Sequence, residues 1–135
     1  MNVMKCVETI KHKFSEGENP VEIPLLRGDR KFTAELTDGG ILVSNLGAQD
    51  FLPWEVFQET ICLLMRSGGI AKRGNAMDYK LGEPELSFDS IEGHIAQVVY
   101  GKKEGDTVFR RVTPIVCILA WAGVCRTAPG EVILR

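Results

Sequence analysis

The first apolar residues of the chain lie three or four positions apart, with charged residues between them, as they do on one face of a helix. These residues are Val3, Val7, Ile10 and Phe14. Serine, glycine and proline follow in residues 15–20 and interrupt the period. The pattern therefore predicts an amphipathic N-terminal helix that ends within that stretch.

From residue 21 to residue 46 the pattern changes to an alternation of apolar and polar positions, which is the period of a half-buried strand. The alternating apolar residues are Val21, Ile23, Leu25, Phe32, Ala34 and Leu36. Pro24 suits an edge strand because proline cannot donate a hydrogen bond to a neighbouring strand. Asp38-Gly39-Gly40 predicts a tight hairpin into a third strand at residues 41–43. We expect a small antiparallel meander with one face to cover.

A second helix is predicted over residues 53–67, because its apolar residues share one face and Gly68-Gly69 follows it. The apolar residues of that face are Trp54, Phe57, Ile61, Leu64 and Met65. We expect this helix to cover the meander. Residues 70–86 have no clear period and predict a loop with one short strand. That loop divides the chain into residues 1–75 and residues 76–135, which could also form one continuous domain.

Residues 89–134 predict two helices followed by a hairpin. Asp89 and Glu92 resemble a capping box in front of the first helix, and residues 102–106 form a charged turn after it. Thr113-Pro114 predicts either the N-cap and first residue of the next helix or a kink in a longer helix from Asp106. A hairpin with its tip at Pro129-Gly130 closes the chain. Together the elements predict an α+β fold.

Composition narrows the class of protein further. The chain has 135 residues, 44% of them hydrophobic and 25% charged, which is typical of a globular protein and excludes disorder and collagen-like structure. Its longest apolar stretch is shorter than the roughly 20 residues of a membrane helix. The N-terminus leads into charged sequence and not into an apolar signal core. We therefore expect a cytoplasmic protein with no membrane partner.

Motifs for metals, cofactors and catalysis are weak. Cys6, Cys62, Cys117 and Cys125 form no Cys-x-x-Cys pair, which favours buried thiols over a zinc site or a redox dithiol. The glycine spacing matches neither a dinucleotide-binding motif nor a phosphate-binding loop, so no cofactor is expected. An enzyme using Cys117 or Cys125 with His94 is the catalytic hypothesis that remains. We expect no catalysis.

The charged residues are unevenly distributed, since residues 1–60 are net negative and residues 95–135 are net positive. Helix, charged turn, second helix and hairpin over residues 89–134 follow the order of winged-helix modules, whose second helix enters the DNA major groove. The stretch from Phe109 to Val124, with residues 130–134, resembles the end of the N-terminal winged-helix domain of Mrr-type restriction proteins. The resemblance covers about a third of the chain and implies a winged-helix-like C-terminal half that binds DNA.

Under this resemblance, fixed positive charges would contact DNA phosphates. The residues concerned are Lys102, Lys103, Arg110, Arg111 and Arg126. The basic pair Lys72-Arg73 could extend the same face. The sequence thus predicts a DNA-binding or nucleoprotein-associated regulator without catalytic activity. The alternative is a protein-interaction module in which the apolar helix from Val112 forms a homodimer interface.

Overall fold

A computed structural model describes residues 2–135, over which the chain forms four α-helices and two antiparallel sheets. The first half contains α1 (Val3–Ser15), β1 (Val21–Pro24), β2 (Lys31–Leu36), β3 (Gly40–Val43), β4 (Phe51–Pro53), α2 (Trp54–Arg66) and β5 (Ile70–Lys72). The second half contains a 3-10 turn (Pro84–Leu86), α3 (Ile91–Val98), α4 (Val112–Trp121), β6 (Cys125–Ala128) and β7 (Glu131–Leu134). The predicted α+β fold is confirmed.

Helix α1 begins where the Asn2 side chain accepts a hydrogen bond from the Lys5 N–H at 2.8 Å. This contact satisfies one of the N–H groups that a helix start leaves without a partner. The predicted apolar face is buried at Ile10 and Phe14, and Cys6 joins it. The ring of Phe14 meets Trp121 of α4 edge-on at 5.0 Å between centroids, which ties the N-terminal helix to the C-terminal half.

The meander has the strand order β1-β2-β3-β4, so β1 lies at the edge that Pro24 predicted. Strand β4 was not predicted, because three residues ending in a proline show no period. It extends the sheet by pairing Leu52 with Ile41 of β3. One face of the sheet points into the core through Ile23, Phe32, Ala34, Ile41, Val43 and Leu52.

Helix α2 lies at the centre of the fold and packs against α1, α3 and α4 as well as β4, β5 and β7. Its predicted face is buried at Phe57, Ile61 and Leu64. Met65, by contrast, is 51% exposed, so its assignment to the core was wrong. Because other helices cover α2 from several sides, the buried surface of α2 is broader than the single apolar face that was predicted. It also includes Val56, Thr60 and Leu63.

The second sheet has the order β5-β7-β6, so a strand that precedes α3 pairs with the C-terminal hairpin. Ala71 of β5 lies opposite Val132 of β7. One hydrophobic core runs from α1 to β7 and therefore joins residues 1–75 to residues 76–135. Within residues 2–135, no helix combines the length and the apolar character that crossing a membrane requires.

Both helix starts in the C-terminal half differ from the prediction. Ser90, and not Asp89, caps α3, because its Oγ accepts the Gly93 N–H at 3.1 Å. Helix α4 begins at Val112, so Pro114 is neither its first residue nor a kink within a longer helix. Pro114 fits in the first turn because the N–H groups there have no acceptor within the helix.

Candidate functional site

A cleft of about 740 Å³ opens where five segments of the chain meet. These are the turn after β1, the end of β5 with the residues after it, residues 84–90, the N-terminal end of α4, and the tip of the C-terminal hairpin. Five cationic side chains line it, namely Arg27, Arg30, Lys72, Arg73 and Arg110. Glu85 is the acidic residue on its wall. We call this feature the cationic cleft. Such a concentration of positive charge favours an anionic ligand.

The first two cations belong to the turn between β1 and β2. The Leu25 N–H donates to the Arg30 carbonyl at 2.9 Å and closes the turn. Gly28 has φ 69°, a left-handed conformation that glycine adopts at little cost. Arg27 and Arg30 lie on either side of this glycine and are exposed. The turn thus presents two guanidinium groups to the cleft.

The next two cations lie beside the tip of the C-terminal hairpin. Lys72 ends β5 opposite Glu131, and the Arg73 N–H donates to the Gly130 carbonyl at 3.0 Å. The Arg73 guanidinium donates from Nη2 to the Ala128 carbonyl at 3.3 Å. Its Nε is buried and has no acceptor within residues 2–135. Arg73 is therefore held against the hairpin while part of its hydrogen-bonding capacity remains unused.

Arg110 stands just before α4 and is exposed. Its Nη2 donates to the Thr113 Oγ1 at 3.1 Å, and its Nη1 lies 3.5 Å from the Met77 sulfur. Arg110 also borders a second cavity of about 700 Å³, which Lys102 and Tyr100 line as well. Among the predicted phosphate contacts, Arg110 is the one that lies on the cationic cleft.

Arg111 points inward although it neighbours Arg110, and it is only 8% exposed. Its guanidinium lies 3.7 Å from the centroid of the Tyr100 ring and 4.9 Å from that of Phe109. Nη2 also donates to the Gln49 side chain at 2.7 Å. A guanidinium stacked on aromatic rings in this way stabilises the fold. Arg111 is thus held by internal contacts, and it also lines the second cavity.

The remaining predicted contacts are divided between the loop after α3 and the C-terminal hairpin. Lys102 and Lys103 are exposed in the loop after α3, and Arg126 is exposed on β6. Lys102 borders the second cavity, whereas Lys103 and Arg126 line neither cavity. Within residues 2–135, none of the three forms an ion pair. Three of the five predicted residues, Lys102, Arg110 and Arg111, thus line the second cavity together.

Glu92 fixes the N-terminal end of α4, which lies beside the cleft. Its side chain is 1% exposed, and Oε1 accepts the N–H groups of Arg111 at 2.9 Å and Val112 at 3.1 Å. Burial raises the pKa of the Glu92 carboxyl to about 7, although these two hydrogen bonds and the charges of Arg111 and Arg110 act in the opposite direction. The prediction that Glu92 belongs to the capping box of α3 was thus wrong, because Glu92 caps α4.

Helix α4, which the resemblance would place in the DNA groove, is mostly covered by the rest of the chain. Residues 114–119 are all buried, and the helix packs against β1 of the meander. Its apolar character is therefore explained by the chain's own core. The helix presents its N-terminal end to the cleft through Val112 and Thr113.

Cys117, Cys125 and His94, the residues of the catalytic hypothesis, line neither of the two cavities. Burial raises the pKa of Cys117 to about 11 and that of Cys125 to about 12, so both are protonated at neutral pH. His94 is buried and its Nε2 lies 2.9 Å from the Glu59 Oε1. Among the described residues, no group of three or more histidine, cysteine or acidic side chains could hold a metal ion.

Sequence reasoning missed Arg27 and Arg30 as site residues and treated residues 27–30 as a turn alone. Two like charges around a turn glycine are the signal that could have drawn attention to them. The pair Lys72-Arg73 was noted as a possible extension, and it does lie on the cationic cleft. No protein family, curated protein or solved structure matches the chain.

Proposed function

We propose that this protein binds DNA through the phosphate-contacting side chains of the cationic cleft, as a non-catalytic regulator in the cytoplasm. The observation that carries the proposal is the convergence of Arg27, Arg30, Lys72, Arg73 and Arg110 from three segments of the chain. Cationic side chains contribute most of the affinity for nucleic-acid backbones because binding releases counterions from the phosphates.

The order of elements supports the winged-helix interpretation. Helices α3 and α4 are followed by the β6–β7 hairpin, which corresponds to the wing. Gly130, at the tip of that hairpin, lines the cationic cleft together with Thr113 of α4. The start of the second helix and the tip of the wing thus border one basic surface.

The proposed mode of binding differs from groove reading. Because α4 is buried against the core and β1, few of its side chains are free to reach base edges. Contacts with phosphates set the position of a protein on DNA but carry no direct sequence information. We therefore expect affinity that depends strongly on salt and only weakly on sequence.

The first test is fluorescence anisotropy with purified protein and a labelled mixed-sequence duplex at low and at near-physiological salt. The proposal predicts binding at low salt that weakens as salt rises. Light scattering on the same sample gives the mass of the protein. No binding even at low salt would overturn the proposal, and a stable dimer in that case would favour the protein-interaction alternative.

A further inference from the structure

We propose that the cationic cleft is built for a phosphate monoester, the group found at the end of a nucleic-acid strand and on a free nucleotide. This inference rests on the proposed function and specifies the ligand of the same site. A site for a phosphate monoester would distinguish the end of a nucleic-acid strand from the continuous backbone, which carries only phosphodiesters.

The shape of the site is the first argument. Its volume of about 740 Å³ lies within the range of roughly 300–1,000 Å³ that small-molecule sites occupy. A continuous duplex carries one negative charge per roughly 1.7 Å of helix axis. Proteins that bind along it therefore place their cationic side chains in an extended row. Here Arg27, Lys72 and Arg110 come from three segments and surround a single cavity. That arrangement suits one compact anion better than an extended row.

The charge of the ligand is the second argument. A phosphate monoester carries about −1.5 to −2 near neutral pH, whereas each phosphodiester carries a single negative charge. Five cationic residues and one acidic residue, Glu85, line the cleft. The excess of positive charge therefore attracts a monoester more strongly than a phosphodiester, which lacks the second negative charge.

Arg73 supplies the third argument. Its Nη2 is occupied by the Ala128 carbonyl and its Nε is buried, so Nη1 is the donor that an anion in the cleft can reach. A guanidinium offers paired N–H donors whose geometry matches the oxygens of a phosphate group. Because the Arg73 guanidinium is half-buried, it loses less hydration on binding an anion than a fully hydrated surface lysine does.

The polar groups around Arg73 show which donors remain for the ligand. The N–H groups of Arg111 and Val112 already bond to Glu92, and the Ser90 hydroxyl already bonds to Ser87 and Gly93. Thr113 accepts a hydrogen bond from Arg110 through Oγ1, so its own hydroxyl hydrogen is free to donate. Recognition would therefore depend on the arginine side chains and the Thr113 hydroxyl.

The test compares labelled oligonucleotides of one sequence that carry a 5′-phosphate, a 3′-phosphate or no terminal phosphate. Anisotropy should show about tenfold tighter binding when a terminal phosphate is present. Unlabelled nucleoside monophosphate serves as a competitor. If it displaces the phosphorylated strand at concentrations at which the nucleoside does not, the cleft accepts the monoester from a free nucleotide as well.

Arg73→Gln should abolish the preference for a terminal phosphate, and Arg27→Gln, in the exposed turn, should weaken it without affecting folding. Lys103→Gln is the matched control, because Lys103 lines neither cavity. Equal affinity for phosphorylated and unphosphorylated strands would overturn this inference while leaving DNA binding intact. Absence of binding to every oligonucleotide would overturn both proposals.

Discussion

The Oε1 atom of Glu92 accepts a hydrogen bond from the backbone N–H of Arg111 at 2.9 Å, so that a residue of α3 caps the start of α4. The same oxygen accepts the next N–H along the chain, that of Val112, at 3.1 Å. Glu92 is almost completely buried, so no solvent competes for these bonds. This contact fixes the position of α4, and therefore of Arg110, at the edge of the cationic cleft.

Replacing Glu92 tests this capping contact directly. Glu92→Ala should lower the free energy of unfolding by about 2–4 kcal/mol, because two buried N–H groups lose their acceptor. Glu92→Gln keeps an amide oxygen in the same place and should cost much less. Urea denaturation followed by circular dichroism measures both variants. Equal stability of the alanine and glutamine variants would contradict the proposed cap.

Glu92 should also make stability depend on pH. Burial raises its pKa from the ordinary value of 4.5 to about 7, so the folded state holds the proton more tightly than the unfolded chain does. Its contribution to stability should therefore fall as the pH rises from 4.5 to 7 and stay constant above that.

Comparison with Glu92→Gln isolates this effect, because glutamine does not titrate. The free energy of unfolding of the wild type, relative to that of the glutamine variant, should decrease by about 3 kcal/mol across this pH window. Denaturation curves at pH 4.5, 6 and 8 provide the measurement. A difference that grows with pH would mean that the two N–H groups outweigh burial and keep the carboxylate ionised.

Arg110 and Arg111 should behave differently although they are neighbours. Arg111→Ala removes the contacts with Tyr100, Phe109 and Gln49 and should destabilise the protein by about 2–3 kcal/mol. Arg110→Ala removes an exposed side chain and should change stability by less than about 0.5 kcal/mol. Thermal melting of the two single variants distinguishes them. Similar melting temperatures for both would show that Arg111 is not a structural residue.

The buried thiols should react slowly. Burial raises the pKa of Cys6 and Cys125 to about 12 and that of Cys117 to about 11, so little thiolate forms at neutral pH. Alkylation with iodoacetamide, followed by mass spectrometry, should modify the half-buried Cys62 first. The urea-unfolded chain is the control. Modification of Cys117 or Cys125 in the folded protein as fast as in the unfolded chain would support the cysteine-enzyme hypothesis instead.

The sequence predicted those parts of the fold that depend on local patterns. The apolar period of α1, the edge position of β1 and the C-terminal hairpin all follow from residues close together in the chain. Strand β4 was missed because three residues ending at Pro53 carry no period. The exposure of Met65 was missed because it depends on which helices pack around α2.

The candidate site was harder to predict because its residues are distant in sequence. Arg27 and Arg30 line the same cleft as Arg73 and Arg110 only because the meander packs against the C-terminal half. The bond from Glu92 to the start of α4 likewise joins two separate helices. Basic residues adjacent in sequence, such as Arg110 and Arg111, proved to differ in exposure, since Arg110 is exposed and Arg111 is buried. Sequence alone gives the charges but not which of them converge.

The most direct test of the cationic cleft is the salt dependence of DNA binding by two double variants. Arg27→Ala with Arg30→Ala removes two cations from the cleft, whereas Lys102→Ala with Lys103→Ala removes two from the charged loop outside it. The slope of log Kobs against log salt should become shallower by about 2 for the cleft variant and stay near the wild-type value for the loop variant. An unchanged slope for the cleft variant, together with a shallower slope for the loop variant, would contradict the proposed site.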